Sequence, residues 1–218
     1  MRRIFDMDNP FMRAMAVAYD LLILNLLTLV CSLPVFTAGA AVTALNDVTI
    51  HIVRQEDTGN VKPFFRSFAG NFKKGTLLWL LLLLAAALLY LDYIAAQAFV
   101  PVLRLGVAAI AVLVLAVSLY AFALLARYEN TLRGTLKNAA VLMISYFPRT
   151  LGMVAASVGF WLLCRYFYRI GVPLLLMFGL SLPCYICVLL LDGVFADLEK
   201  TAPLSEDETD TDQEESPT

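Results

Sequence analysis

Residues 102–126 read VLRLGVAAIAVLVLAVSLYAFALLA, and Arg104 is the only charged residue among them. A helix needs about 20 consecutive apolar residues to cross the hydrocarbon core of a lipid bilayer. Inside that core each backbone polar group has to find its partner within the segment, which a helix allows. This stretch is therefore predicted to be a membrane-spanning helix, and a lipid bilayer is the expected partner of the chain.

Other apolar runs lie at 14–33, 76–97 and 172–191, and a shorter one lies at 150–164. Of the 218 residues, 61% are hydrophobic and 16% are charged, and the mean hydropathy is +0.78. A soluble domain usually carries about 45–50% apolar and about 25% charged residues. Because so little polar surface remains to face water, we expect an all-α fold, a polytopic bundle of transmembrane helices in the cell membrane.

The ambiguous stretch is 38–54, which is long enough to cross the bilayer but carries Asn46, Asp47 and His51. Lys and Arg accumulate in loops on the cytoplasmic side of membrane proteins. If 38–54 crosses, six spans place thirteen of the sixteen basic residues inside and three outside; if it does not, five spans give ten and six. The charges favour six spans in three hairpins with both termini in the cytoplasm, and five spans are the alternative.

Two basic connections join the predicted hairpins on the inner side. In the first, aromatic side chains recur every four residues and basic side chains lie between them: Phe64, Phe68 and Phe72, with Lys62, Arg66, Lys73 and Lys74. Aromatic residues on one face and bases on the other are typical of a helix that lies on an anionic membrane surface. The second connection, 130–147, has a similar pattern, so we expect an interfacial helix in each.

The chain divides into a transmembrane domain, residues 1–198, and an acidic tail, residues 199–218. Eight of the eighteen acidic residues but only one of the sixteen basic residues lie in the tail, so the transmembrane domain has a net charge of +5. The tail has almost no apolar side chains to bury, and we expect it to be a disordered cytoplasmic segment.

Four polar residues in the predicted spans are candidates for an intramembrane site. Ionisable groups inside a membrane are costly and often functional, which singles out Asp20 with Asn25 five residues on. Asp47 and His51 are four residues apart and therefore share one face of a helix. Asp20 and Asn25 are interpreted either as a proton, ion or polar-substrate site or as an interhelical hydrogen bond that fixes helix packing. Asp47 and His51 are interpreted either as a proton relay or half of a metal site, or as a local hydrogen-bonded pair.

Sequence motifs of common enzymes are missing from the chain. It contains no GxxxxGK[ST] phosphate loop, no GxSxG elbow, no HExxH zinc motif and no dinucleotide-binding fingerprint. We therefore expect a protein that is not an enzyme, with no catalytic residues, no cofactor and no metal site. The basic connections are explained by membrane topology, so no nucleic-acid partner is expected.

The N-terminal third resembles the YesL family, small bacterial membrane proteins grouped as a domain of unknown function. The matching residues are Phe5, Asp8-Asn9-Pro10, Met12, Asp20-Leu21-Leu22, Leu24-Asn25-Leu26, Leu33-Pro34, Thr37, Gly39 and Ala40, followed by Phe64–Phe68 and Asn71–Gly75. The resemblance covers residues 5–75 and brings no catalytic residues. It implies a context instead, because members of the family are often encoded beside genes for carbohydrate uptake and breakdown.

Two functions follow as hypotheses. The first is a non-enzymatic accessory protein that assembles with a sugar ABC transporter or another membrane complex, as the resemblance implies. The second is a small solute or ion transporter that uses Asp20 and Asn25 within the membrane. A homo-oligomer is compatible with both. A membrane-embedded enzyme would require Asp20, Asp47 and His51 to converge in space.

Overall fold

The computed structural model describes residues 10–56, 59–96, 101–128, 131–166, 173 and 176–194. Within these ranges every element of regular secondary structure is a helix, which confirms the all-α fold class for the part of the chain that is described. The elements are α1 (Pro10–Cys31), a 3-10 helix (Val35–Thr37), α2 (Ala38–Val53), α3 (Val61–Gly70), α4 (Phe72–Ala96), α5 (Pro101–Arg127), α6 (Leu132–Ser145), α7 (Phe147–Tyr166) and α8 (Ser181–Val194).

Two groups of predictions fall outside these ranges. Residues 1–9, with the family-motif residues Phe5, Asp8 and Asn9, are not among the described residues, and neither is the acidic tail, 199–218. The expectation of a disordered cytoplasmic tail therefore stays a prediction.

Five helices have the length and apolar composition that a membrane span requires: Phe11–Cys31, Val35–Val53, Phe72–Ala96, Leu103–Arg127 and Phe147–Tyr166. They correspond to five of the six predicted spans, and the ambiguous stretch 38–54 is one of them. The sixth, 172–191, is described only in part, and its described helix α8 is shorter than the about 20 residues of a full span.

Helix α2 lies at the centre of the bundle, where it contacts α1, α3, α4 and α5. Its apolar window is 61% buried, whereas the windows of the other four candidate spans are 6% to 33% buried. Its polar side chains find partners locally, because Thr43, Asn46 and Thr49 each donate a hydrogen bond to the carbonyl oxygen four residues earlier. A polar helix can therefore occupy the interior of this bundle.

Helices α2 and α4 touch backbone to backbone near their N-terminal ends. A Cβ atom on Gly39 would collide with the carbonyl oxygen of Gly75 and with the Cβ atom of Trp79. A Cβ atom on Gly75 would lie 3.0 Å from the Cα atom of Ala40. The indole N–H of Trp79 also donates to the carbonyl oxygen of Val35 at 2.8 Å. The turn between α1 and α2 is thus fixed beside the first part of α4.

This contact leaves much of the α4–α5 hairpin extending beyond the α1–α2 turn. From Trp79 to Ala96, helix α4 rises about 25 Å. The buried apolar residues of α5 cluster towards its C-terminal end, in 116–125. Three hairpins with both termini in the cytoplasm would place the α1–α2 turn and the start of α5 at the same outer face, whereas the structure separates them widely along α4.

Helix α3 forms in the first basic connection as expected, but part of its aromatic face packs against protein. Phe64 is fully buried in a cluster with Leu24 and Leu45, and Phe68 packs against this cluster. The rings of Phe64 and Phe68 are stacked with centroids 6.5 Å apart. The expectation that this face lies on the lipid surface is wrong for Phe64, because α1 and α2 offer it an apolar groove. Phe65 remains 48% exposed.

The C-terminal helices are joined to the rest of the bundle by polar contacts. The hydroxyl of Tyr120 in α5 lies 2.9 Å from that of Thr150 in α7. The guanidinium of Arg54, just after α2, forms an ion pair with Asp192 in α8 at 3.1 Å. Helix α6 occupies the second basic connection and packs mainly on α5. The ion pair brings the C-terminal ends of α2 and α8 to the same end of the bundle.

Candidate functional site

Asp20 holds the start of α3 against α1. The side-chain amide of Asn60 donates a hydrogen bond to Asp20 Oδ1 at 2.6 Å, and Asn60 immediately precedes the first residue of α3. Asp20 is partly exposed. This hydrogen bond joins two segments that are far apart in the sequence. It agrees with the interpretation that Asp20 fixes helix packing.

Asn25 is fully buried and binds the backbone of the last helical segment. Its side-chain amide donates to the carbonyl oxygen of Leu176 at 2.8 Å. Its Oδ1 atom accepts from the backbone N–H groups of Leu180 at 2.8 Å and Ser181 at 3.2 Å. These groups lie around 179–180, where the segment is a turn between helical residues 176–178 and α8. Asn25 therefore satisfies backbone groups that the turn leaves outside regular helical bonding.

The turn beside Asn25 also contains a polar atom for which the described residues offer no partner. Ser181 is 0% exposed, and its hydroxyl oxygen makes no hydrogen bond within the part of the chain that is described. The neighbouring Cys184 donates a long contact to the Thr49 hydroxyl, 3.9 Å between the heavy atoms. A buried interruption of a helix is a place where membrane transporters bind polar solutes.

Asp47 and His51 form a separate cluster at the C-terminal end of α2. His51 Nδ1 lies 2.6 Å from a carboxylate oxygen of Glu56, and its Nε2 lies 3.9 Å from Asp47 Oδ1. Ser67 of α3 lines the same cavity as Asp47. No described contact joins this cluster to Asp20, so the convergence that a membrane-embedded enzyme would need is not seen among these residues.

The same end of α2 borders a polar cavity of about 670 Å³ between α2, α3 and the start of α4. Its basic lining residues are Lys62, Arg66 and Lys74, and its other polar lining residues are Asp47, His51, Ser67 and Asn71. The amide of Asn71 donates to the Ser67 hydroxyl at 3.4 Å. The cavity is thus walled by three helices and carries more positive than negative side chains.

A second cavity is an apolar cleft of about 450 Å³ between α4 and α5. Aromatic side chains line it at several positions along the two helices, among them Trp79, Tyr90, Tyr93 and Phe122. The rings of Trp79 and Phe122 are 6.5 Å apart between centroids. This cleft runs along the part of the hairpin that extends beyond the α1–α2 turn, so it opens to the surroundings of the helices.

The family-motif residues within the described ranges lie at the start of α1, in the α1–α2 turn and at the start of α2. Pro10 begins α1, where its lack of an N–H group costs no helical bond. Pro34 and Thr37 form the α1–α2 turn, in which the Thr37 hydroxyl lies 2.6 Å from the carbonyl oxygen of Cys31 and 2.7 Å from that of Pro34. Gly39 allows the close contact with α4. These residues shape the hairpin, and nothing in their contacts indicates chemistry.

Several residues of these sites received no role from the sequence. Asn60 and Ser181 did not stand out, and Ser67 and Asn71 were named only as residues of the family resemblance. The one sequence signal for the polar cavity was the four-residue spacing of two basic residues, Lys62 and Arg66, which places both on one helix face. Among the described residues, no group of three or more His, Cys, Asp or Glu side chains lies close enough together to hold a metal ion.

Comparison with known proteins gives one match. The model of a family described as "Protein of unknown function, DUF624" matches residues 21–93. This stretch contains the second half of α1, all of α2 and α3, most of α4 and every residue that lines the polar cavity. No curated protein and no solved structure matches the chain. The N-terminal part is therefore similar to a family of unknown function, its apolar helices are those of a membrane protein, and the YesL name stays a prediction.

Proposed function

We propose that the protein is a non-catalytic accessory subunit of a membrane complex, with a carbohydrate uptake system as the expected partner. The kind of partner is inferred from the genes for carbohydrate uptake that the YesL resemblance implies as neighbours. The observation that carries the proposal is the extended α4–α5 hairpin. Only 6% of the apolar window of α4 is buried, although this helix is long enough to span a bilayer.

The cleft in this hairpin gives the expected partner a specific place to pack. Association of helices in a membrane depends on close van der Waals packing, because lipid tails are as apolar as the side chains. A cleft of about 450 Å³ lined by aromatic and small residues can receive side chains from a neighbouring helix. Two of the small lining residues are Ala86 and Ala111.

The test uses two adjacent alanines of α4. Ala86 lines the cleft, whereas Ala87 is exposed and does not line it. The wild-type protein, solubilised in a mild detergent, is expected to recover a transporter component in a pull-down. Ala86→Phe should fill the cleft and lose the partner, and Ala87→Phe should keep it. Wild-type protein that purifies alone, or equal recovery by both variants, would contradict the proposal.

A transporter is the second candidate, and the turn beside Asn25 is what favours it. The buried hydroxyl of Ser181 has no described partner there, so it is available to a polar solute. In proteoliposomes, Asp20→Asn and Ser181→Ala should each abolish solute flux while the protein still assembles. Because Ser181→Ala breaks no described hydrogen bond, unchanged flux in that variant would remove the turn from the mechanism.

The orientation in the membrane is proposed from the charge distribution, with both termini in the cytoplasm. Leu103 near the start of α5 is 51% exposed and Phe65 in α3 is 48% exposed, so cysteines placed there can be labelled. The two positions lie at opposite ends of α4, so in a background without the native cysteines Leu103→Cys should react with a membrane-impermeant maleimide in intact cells. Phe65→Cys should react only after the membrane is permeabilised. The reverse pattern would reject this orientation.

A further inference from the structure

We propose that the polar cavity between α2, α3 and the start of α4 binds the phosphate group of an anionic phospholipid. This site is independent of the accessory and transporter functions proposed above. The cavity has a volume of about 670 Å³, which is ample for a phosphate with its glycerol linkage. Its basic side chains are Lys62 and Arg66 from α3 and Lys74 from α4.

The charges of the cavity favour an anion. Within the described part of the chain, no carboxylate lies within 4.0 Å of the side-chain nitrogens of Lys62, Arg66 or Lys74. The one acidic residue among the described lining residues is Asp47, whose Oδ1 atom lies 3.9 Å from His51 Nε2. The three cations therefore face the cavity with an excess of positive charge.

The arrangement of the bases suits a phosphate. Lys62 and Arg66 are four residues apart and project from one face of α3. Lys74 comes from the first turn of α4, so the bases approach from two helices. A guanidinium can hold two phosphate oxygens at once, and an ammonium acts as a point charge on a third. Asn71, which also lines the cavity, adds a neutral polar group.

The depth of the cavity identifies the phosphate as that of a lipid. Lys74 directly precedes the apolar run 76–96 of α4, so the cavity lies where the helix passes from polar to hydrocarbon surroundings. Basic pockets of this kind between helices bind anionic lipid headgroups. Two aromatic residues next to the bases, Phe65 and Phe72, are 48% and 36% exposed and can pack on acyl chains. A small soluble phosphate compound would use neither feature.

The test measures lipid binding to the delipidated full-length protein in detergent. Short-chain phosphatidylglycerol is expected to bind at least about tenfold more tightly than phosphatidylcholine, which has no net charge. Removing one base near a membrane surface costs about fivefold in affinity. Arg66→Gln and Lys74→Gln should therefore each weaken binding of phosphatidylglycerol about fivefold, and the double variant about 25-fold.

Three controls make the assignment specific. Lys73→Gln removes an exposed base from the same turn that does not line the cavity, so binding should not change. Asp47→Asn removes the one negative charge among the described lining residues and should tighten binding. Arg66→Lys keeps the charge and should retain most of the affinity, which separates a lost contact from a misfolded variant.

Two outcomes would overturn the proposal. If Arg66→Gln and Lys74→Gln behave like Lys73→Gln, the cavity does not hold the headgroup. If glycerol phosphate displaces phosphatidylglycerol at equal concentration, the site recognises a soluble phosphate compound and the lipid assignment is wrong. Failure of glycerol phosphate to compete, together with the graded losses, would support the lipid site.

Discussion

Replacing Asn25 by leucine tests whether this side chain holds the last helical segment in place. Leucine has the same branched shape and is somewhat larger, so Asn25→Leu removes hydrogen bonds without leaving a cavity, and the control below carries the same increase in volume. Three bonds are lost: one to the carbonyl oxygen of Leu176 and two from the backbone N–H groups of Leu180 and Ser181. All three join residues that are more than 150 positions apart in the sequence.

The expected cost follows from these three bonds. Side-chain hydrogen bonds between membrane helices average about 0.6 kcal/mol, and neutral bonds in proteins generally contribute about 0.5–1.5 kcal/mol each. Three bonds therefore contribute about 2–4 kcal/mol. The upper part of this range applies if the freed backbone groups find no other partners, because Asn25 is fully buried and water would have to enter.

The measurement is the free energy of unfolding in mixed micelles as the fraction of denaturing detergent is raised. Asn46→Leu is the matched control, because the described hydrogen bond of Asn46 goes to the carbonyl oxygen of Val42 in its own helix. We expect a loss of about 2–4 kcal/mol for Asn25→Leu and less than about 1 kcal/mol for Asn46→Leu. Equal losses in the two variants would show that the contact with the turn does not stabilise the fold.

Three further changes, the first with a matched control, test individual contacts of the bundle by the same unfolding measurement. Gly39→Ala should cost about 3 kcal/mol or more because the added carbon meets the backbone of α4, whereas Gly106→Ala, in open space, should be neutral or slightly stabilising. Trp79→Phe should cost about 1 kcal/mol, since it removes the donor to the carbonyl oxygen of Val35. Tyr120→Phe should cost a similar amount, because it removes one hydroxyl from a buried pair.

The helices could be predicted from the sequence, but the partners of the polar residues could not. Apolar runs of sufficient length are stable in lipid as helices, so hydropathy located four of the five helices with span length, and the distribution of basic residues added α2. The partner of Asp20 is an asparagine 40 residues away, and the partners of Asn25 are backbone atoms about 150 residues away. Backbone atoms carry no residue-type signal, so no spacing rule could have identified the turn that Asn25 holds.

The sequence also did not show where the hairpins lie relative to one another along their helix axes. Hydropathy gives the length of each apolar run but not where one helix crosses another. The crossing of α2 and α4 is set by two glycines, Gly39 and Gly75, whose missing side chains let the backbones meet. A glycine in an apolar helix has many explanations, and only the geometry shows that these two face each other.

Helix α2 shows why hydropathy was ambiguous where it mattered most. Its window has a mean hydropathy of 1.3, well below the 2.0–2.7 of α1, α4 and α5, yet it is the most buried of the candidate spans. A helix in contact with lipid on most sides must be apolar, whereas one surrounded by protein can carry polar side chains if each finds a partner. Thr43, Asn46 and Thr49 do so by bonding to carbonyl oxygens of their own helix. Lowered hydropathy alone does not identify such a helix, because α7 has the same mean hydropathy of 1.3 and is only 22% buried. The central position of α2 follows from its contacts with four neighbouring helices, and its Asp47 faces the polar cavity rather than the hydrocarbon.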